Sequence, residues 1–85
     1  MEKNSEFKEL YKAVLSLKNE EQCEKFFEDL CTIKELSDMA QRLEVATLLA
    51  QGMSYQKITE QVDVSTATIG RVSRCLNYGP GGYRT

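Results

Sequence analysis

Hydrophobic positions recur along the chain with the period of a helix, and no stretch keeps the strict alternation of a half-buried strand. Phe7, Leu10, Tyr11, Val14 and Leu15 fall at i, i+3, i+4, i+7 and i+8, one face of an amphipathic helix. Asn19 reads as the N-cap of a second helix. Glu20 and Glu21 in its first turn favour the positive end of the helix dipole, and Gln22 completes a capping-box pattern. The same spacing returns there in Cys23, Phe26, Phe27, Leu30 and Cys31, with the two phenylalanines as core anchors. Thr32 and Glu35 form a second capping box. It opens the longest helix, striped by Ile33, Leu36, Met39, Ala40, Leu43, Ala46 and Leu49 over roughly five turns. Gly52 suits the left-handed position that ends it, and Ser54 can cap the next helix.

From Ser54 the pattern shortens to two helices, 55–62 and about 66–77, separated by Asp63, Val64 and Ser65. Ser65 is a good N-cap, and Asp63 tolerates unusual backbone angles better than most residues. Ile58, Val62, Val64, Ile69 and Val72 are spaced to pack two helices across a tight turn, as a helix-turn-helix requires. Thr59 and Asp63 stand where such units often prefer alanine and glycine. Turning the second helix by 100° per residue puts Ile69, Val72 and Leu76 on one side. Ala67, Gly70, Arg71 and Arg74 project from the other, with Thr66 near the helix start. Small residues admit a groove floor closely, hydroxyls and methyls touch base edges, and arginine bonds phosphate or guanine. Such a surface suits the DNA major groove. Lys57, with Tyr55 and Gln56 beside it, is a candidate for phosphate contact. The competing reading is a solvated helix face on a module that binds protein, an adaptor without specific DNA binding.

Charge sharpens this division. The chain carries a net charge of −2 and a pI near 5.1, which taken alone disfavours a nucleic-acid partner. Residues 1–51, however, hold seven Lys/Arg against eleven Asp/Glu, whereas 52–85 hold four against two. The positive charge therefore lies with the helix-turn-helix pattern. Three cysteines (23, 31 and 75) without a C-x-x-C pair, in a chain lacking histidine, indicate no disulfide framework, no metal site and no common general base. They read as small core residues, and catalysis is not expected. No apolar run is long enough for a membrane span and no export signal is evident, so a soluble cytoplasmic protein is the expectation.

Eighty-five residues make one small domain. Its first two helices present more aromatic and aliphatic surface than so short a chain covers, which points to a second copy. The expected organisation is dimerisation helices over 1–53, the helix-turn-helix over 54–78, and a flexible tail over 79–85, where GPGGYRT contains the only proline.

The stretch ELSDMAQRLEVATLLAQGMSYQKITEQVDVSTATIGRVSRCL and the terminal NYGPGGYRT resemble the Trp repressor superfamily, specifically its YerC/YecD-like branch, over about residues 30–85. The resemblance implies an all-helical, intertwined homodimer in the bacterial cytoplasm. Two recognition helices would enter successive major grooves of a palindromic operator in double-stranded DNA, with repression of transcription as the output. On that analogy Ser65, Thr66, Ala67, Thr68, Gly70 and Arg71 lie where the family contacts DNA. Arg42 and Arg71 match the two arginines that hold the family's corepressor, and Thr68, Arg71 and Cys75 share one flank of the helix. Val72 replaces a glycine at the floor of that pocket, and Cys75 replaces a serine. A branched side chain there crowds an indole ring, so a different small effector, or none, is expected in place of tryptophan.

Overall fold

A computed structural model describes residues 3–84, with side chains from residue 5. Five α-helices follow one another: α1 (Lys3–Leu15), α2 (Glu20–Leu30), α3 (Ile33–Ala50), α4 (Tyr55–Gln61) and α5 (Thr66–Tyr78). A single 3-10 turn, Gly82–Arg84, closes the described chain, which contains no strand. The helix ends form where local chemistry satisfies the backbone. Asn19 Oδ1 accepts from the Gln22 amide at 2.9 Å, while Gln22 Oε1 accepts from the Lys18 amide rather than from that of Asn19. At Thr32 the box is reciprocal: Thr32 Oγ1 accepts from the Glu35 amide at 3.0 Å and Glu35 Oε1 from the Thr32 amide at 2.8 Å. Gly52 ends α3 at φ +90°. Its amide donates to the Leu49 carbonyl and that of Met53 to Leu48, the paired bonds of a Schellman motif with Leu48 and Met53 both on the core.

The chain divides into two compact units, 1–36 and 37–85. All the buried hydrophobic residues among the described ones belong to the second unit: Val45, Ala46, Ile58, Val62, Ile69, Val72 and Leu76. Six of them form one cluster, from α3, the end of α4 and α5. Leu48, Leu49, Met53, Val64 and Tyr83 are packed around it. The stripe expected on α3 is therefore split, because only its C-terminal part meets α4 and α5. Ala46 is buried, whereas Leu43 is 59% exposed.

In the first unit no described residue is buried. Phe26 and Phe27, expected as core anchors, are half-buried and meet edge to face with ring centroids 5.3 Å apart. Phe7, Leu10, Tyr11, Val14 and Leu15 are all exposed, Leu15 at 83%. The cysteines also depart from the core role expected of them. Cys23 and Cys31 are half-buried, in a unit with no buried residue among the described ones, and Cys75 is exposed.

Residues 79–85 read from sequence as a flexible tail. Of these, Gly82–Arg84 form the 3-10 turn and Tyr83 packs against the core cluster, while Thr85 lies outside the described residues.

Candidate nucleic-acid interface

Two helices joined by four residues make the helix-turn-helix. Ser54 Oγ accepts from the Lys57 amide at 3.2 Å and Ser65 Oγ from the Thr68 amide at 3.1 Å, so each helix starts at a serine cap. Between them the Val64 amide donates to the Val62 carbonyl at 2.8 Å, the short bond of a γ-turn centred on Asp63. Among the described residues none other than glycine has a positive φ, so the turn makes no use of the tolerance for left-handed angles that Asp63 offers. Thr59 is accommodated on the exposed side of α4, its hydroxyl donating to the Gln56 carbonyl at 2.7 Å.

Gln41 is the residue sequence reasoning missed. Its side-chain Nε2 reaches from α3 to donate to the Asp63 carbonyl at 2.7 Å, tying the turn to the long helix across 22 residues of sequence. Only its polarity beside an apolar stripe could have marked it.

The two sides of α5 divide as its helical wheel requires. Ile69, Val72 and Leu76 are buried; Ser65, Thr66, Ala67, Arg71 and Arg74 are exposed, and Thr68 and Gly70 half-exposed. Lys57 is exposed on α4, beside a cleft of 410 Å³ that it lines with Gln51, Gly52, Met53, Ser54 and Gln61. Ser65 Oγ also donates to Thr68 Oγ1 at 3.1 Å, which orients both hydroxyls at the start of the helix.

Gly70 is informative because nothing inside the protein requires it. A Cβ there would meet only Arg74 Nη1, at an ordinary 3.7 Å. Glycine in a helix interior costs about 0.5–1 kcal/mol relative to alanine. The site forgoes that stability with no internal steric reason, which fits a backbone that must approach something outside the molecule. Gly70→Ala is accordingly expected to stabilise the fold by about 0.5–1 kcal/mol in thermal or urea unfolding, while weakening DNA binding at least tenfold. Unchanged DNA affinity in a stabilised variant would remove the close-approach argument.

The candidate effector residues lie on two elements. Arg42 is half-buried on α3 and Arg71 exposed on α5. Cys75 faces the C-terminal segment, lining a cleft of 370 Å³ with Pro80, Gly82 and Tyr83 that neither arginine lines.

The family model described as Trp repressor protein matches residues 5–85, nearly the whole chain. The chain belongs to the Trp repressor family. YerC of Bacillus subtilis is 52% identical over 81 residues, covering 95% of this chain and 78% of that protein. Among solved structures, a TrpR-like protein from Eubacterium eligens superposes with a TM-score of 0.91 at 47% identity, covering 95% of this chain and 84% of its own. A further structure, from Staphylococcus aureus, gives a TM-score of 0.89 at 44% identity, covering 93% and 79% respectively. The all-α, Trp repressor-like fold expected from the sequence thus holds, and the family groups the chain with helix-turn-helix, DNA-binding regulators rather than enzymes. No helix among the described residues is long and apolar enough to cross a membrane.

Proposed function

We propose that this member of the Trp repressor family is a sequence-specific transcriptional repressor that binds a palindromic operator as a homodimer. The observation that carries the reading is the division of α5 into a buried aliphatic side and an exposed side of small residues and arginines, with Gly70 open to approach. Arg71, Arg74 and Lys57 supply phosphate contacts that set position; Thr66, Ala67 and Gly70 bring the helix close enough to read base edges, with Ser65 and Thr68 hydroxyls at its start.

The dimer is supported by the first unit. Tyr11 at 58% exposed, Leu15 at 83% and Ile33 at 89% leave a broad apolar surface that a second copy would cover. Two recognition helices held together convert the second contact into an intramolecular one, which offsets the thin charge of each.

The test is selection of bound sequences from a random duplex pool, with the mass in solution measured on the same sample. The expected result is a dimer that enriches a palindrome with half-sites about one helical turn apart. Against that operator, Arg71→Ala and Arg74→Ala should each weaken binding and lower the slope of log affinity against log salt by about one per half-site. A dimer that enriches no sequence, or an affinity indifferent to salt, would count against the proposal.

A further inference from the structure

The C-terminal segment folds back on the recognition helix in a manner that DNA reading by the exposed side of α5 does not use. The last four carbonyls of an α-helix have no partner within it. In α5 the first of these, that of Cys75, accepts from the Gly79 amide at 2.8 Å. The next, that of Leu76, accepts from Arg84 Nε at 3.0 Å, eight residues further along. The last turn of α5 contains no basic residue of its own. Arg84 therefore brings to the negative end of the helix dipole the positive charge that its last turn lacks.

The path between these two bonds is closely constrained. At Gly79 an added Cβ would lie 2.5 Å from the Cys75 carbonyl oxygen, so only glycine lets the chain turn this tightly off the helix. Gly81 takes a φ of +96°, and the Arg84 amide donates to the Gly81 carbonyl at 3.1 Å, closing the 3-10 turn. That turn sets Tyr83 against the same cluster that contains Ile58, Ile69 and Val72. The segment is thus held at its start by the Gly79 bond to Cys75 and at its end by Tyr83 on the cluster and Arg84 on Leu76.

We propose that residues 79–84 form a strap that holds the C-terminal turn of the recognition helix, with Arg84 as a positioning residue that acts through its Nε bond to Leu76 rather than by touching DNA. The proposal rests on the DNA-binding function for its consequence, though not for the strap itself. Arg74, the last arginine of the exposed face, is two residues before Leu76. Fraying of the final turn loosens the backbone that sets its direction.

Two substitutions of Arg84 separate this from a direct phosphate contact. Arg84→Ala removes both donor and charge. Arg84→Gln removes the charge but keeps an N–H donor, Nε2, at the same position along the side chain as Arg84 Nε. Three quantities are read on full-length protein under conditions where it is fully folded: amide hydrogen exchange of residues 76–79, affinity for the selected operator, and its salt slope. With Arg84→Ala, exchange in the last turn should rise roughly tenfold, as for loss of a charge-assisted hydrogen bond, and operator affinity should fall severalfold with the salt slope unchanged. Arg84→Gln, which keeps the bond but not its charge, should recover part of both losses. Since affinity is measured on folded protein, a general loss of stability would not move it.

The strap is overturned if exchange in the last turn is the same in all three proteins. The positioning role is overturned if Arg84→Gln is as weak as Arg84→Ala and both lower the salt slope, because that pattern marks a phosphate contact. Should the unsubstituted protein bind no DNA, the functional reading fails, and the exchange measurement still decides the strap.

Discussion

Ile69→Ala is expected to reduce the stability of residues 37–85 by about 2–5 kcal/mol, the range for deleting most of a fully enclosed aliphatic side chain. Ile69 is completely buried, as are Ile58 and Val45 beside it. It sits where the inner side of α5 meets the rest of the cluster, so its removal leaves a cavity in the core. Urea unfolding followed by circular dichroism, at one fixed protein concentration because self-association adds to apparent stability, is the measurement. Arg71→Ala provides the contrast. It lies on the opposite side of the same helix, in solvent, and should change stability by less than about 0.5 kcal/mol. Equal losses in the two variants would mean that the division of α5 into core and outer faces is wrong.

The second large effect is expected at residues that a single chain leaves in solvent. Tyr11→Glu and Leu43→Glu introduce a charge where the side chains are 58% and 59% exposed. In a monomer such changes are nearly neutral. In a dimer that covers these positions, each buries an unpaired carboxylate and should weaken association by about 3 kcal/mol or more, over a hundredfold in the dissociation constant. Sedimentation at micromolar concentration should show the mass fall from two chains to one, and operator binding should fall with it. Glu9→Lys, on the side of α1 opposite its apolar face, is the control and should leave the mass unchanged. If the glutamate variants remain dimers, the copies meet through some other surface.

Much of the fold was legible because its signals are local. Asn19, Thr32, Ser54 and Ser65 each mark a helix start by a side chain that bonds an amide three residues on, and Gly52 marks a stop by its backbone angle. The inner side of α5 was equally readable from the spacing of Ile69, Val72 and Leu76. What sequence could not supply was which apolar faces would find partners within one chain. Phe26, Cys31 and Leu43 have the spacing of core residues, and spacing says nothing about what lies opposite. The candidate interface divides in the same way. Its outward residues come from the helical wheel, whereas Gln41 on Asp63 and Arg84 on Leu76 are side-chain bonds to distant carbonyls, for which no periodicity exists. The turn at Asp63 shows a related failure: a plausible left-handed residue was available, and the chain closed the turn by a γ bond instead.

The absence of any buried residue among the described ones of the first unit has a kinetic consequence. Helices of 13 and 11 residues that enclose nothing gain little from their own backbone bonds. If a second copy encloses them, ordering of the first third of the chain becomes a bimolecular step, with a rate that rises with protein concentration, while the residues around Ile58 and Ile69 close in a unimolecular one. A cell making few copies would then hold chains with a formed reading head and an unprotected, protease-sensitive front end. Abundance and lifetime would be linked, so that the regulator persists only once enough of it has been made to pair.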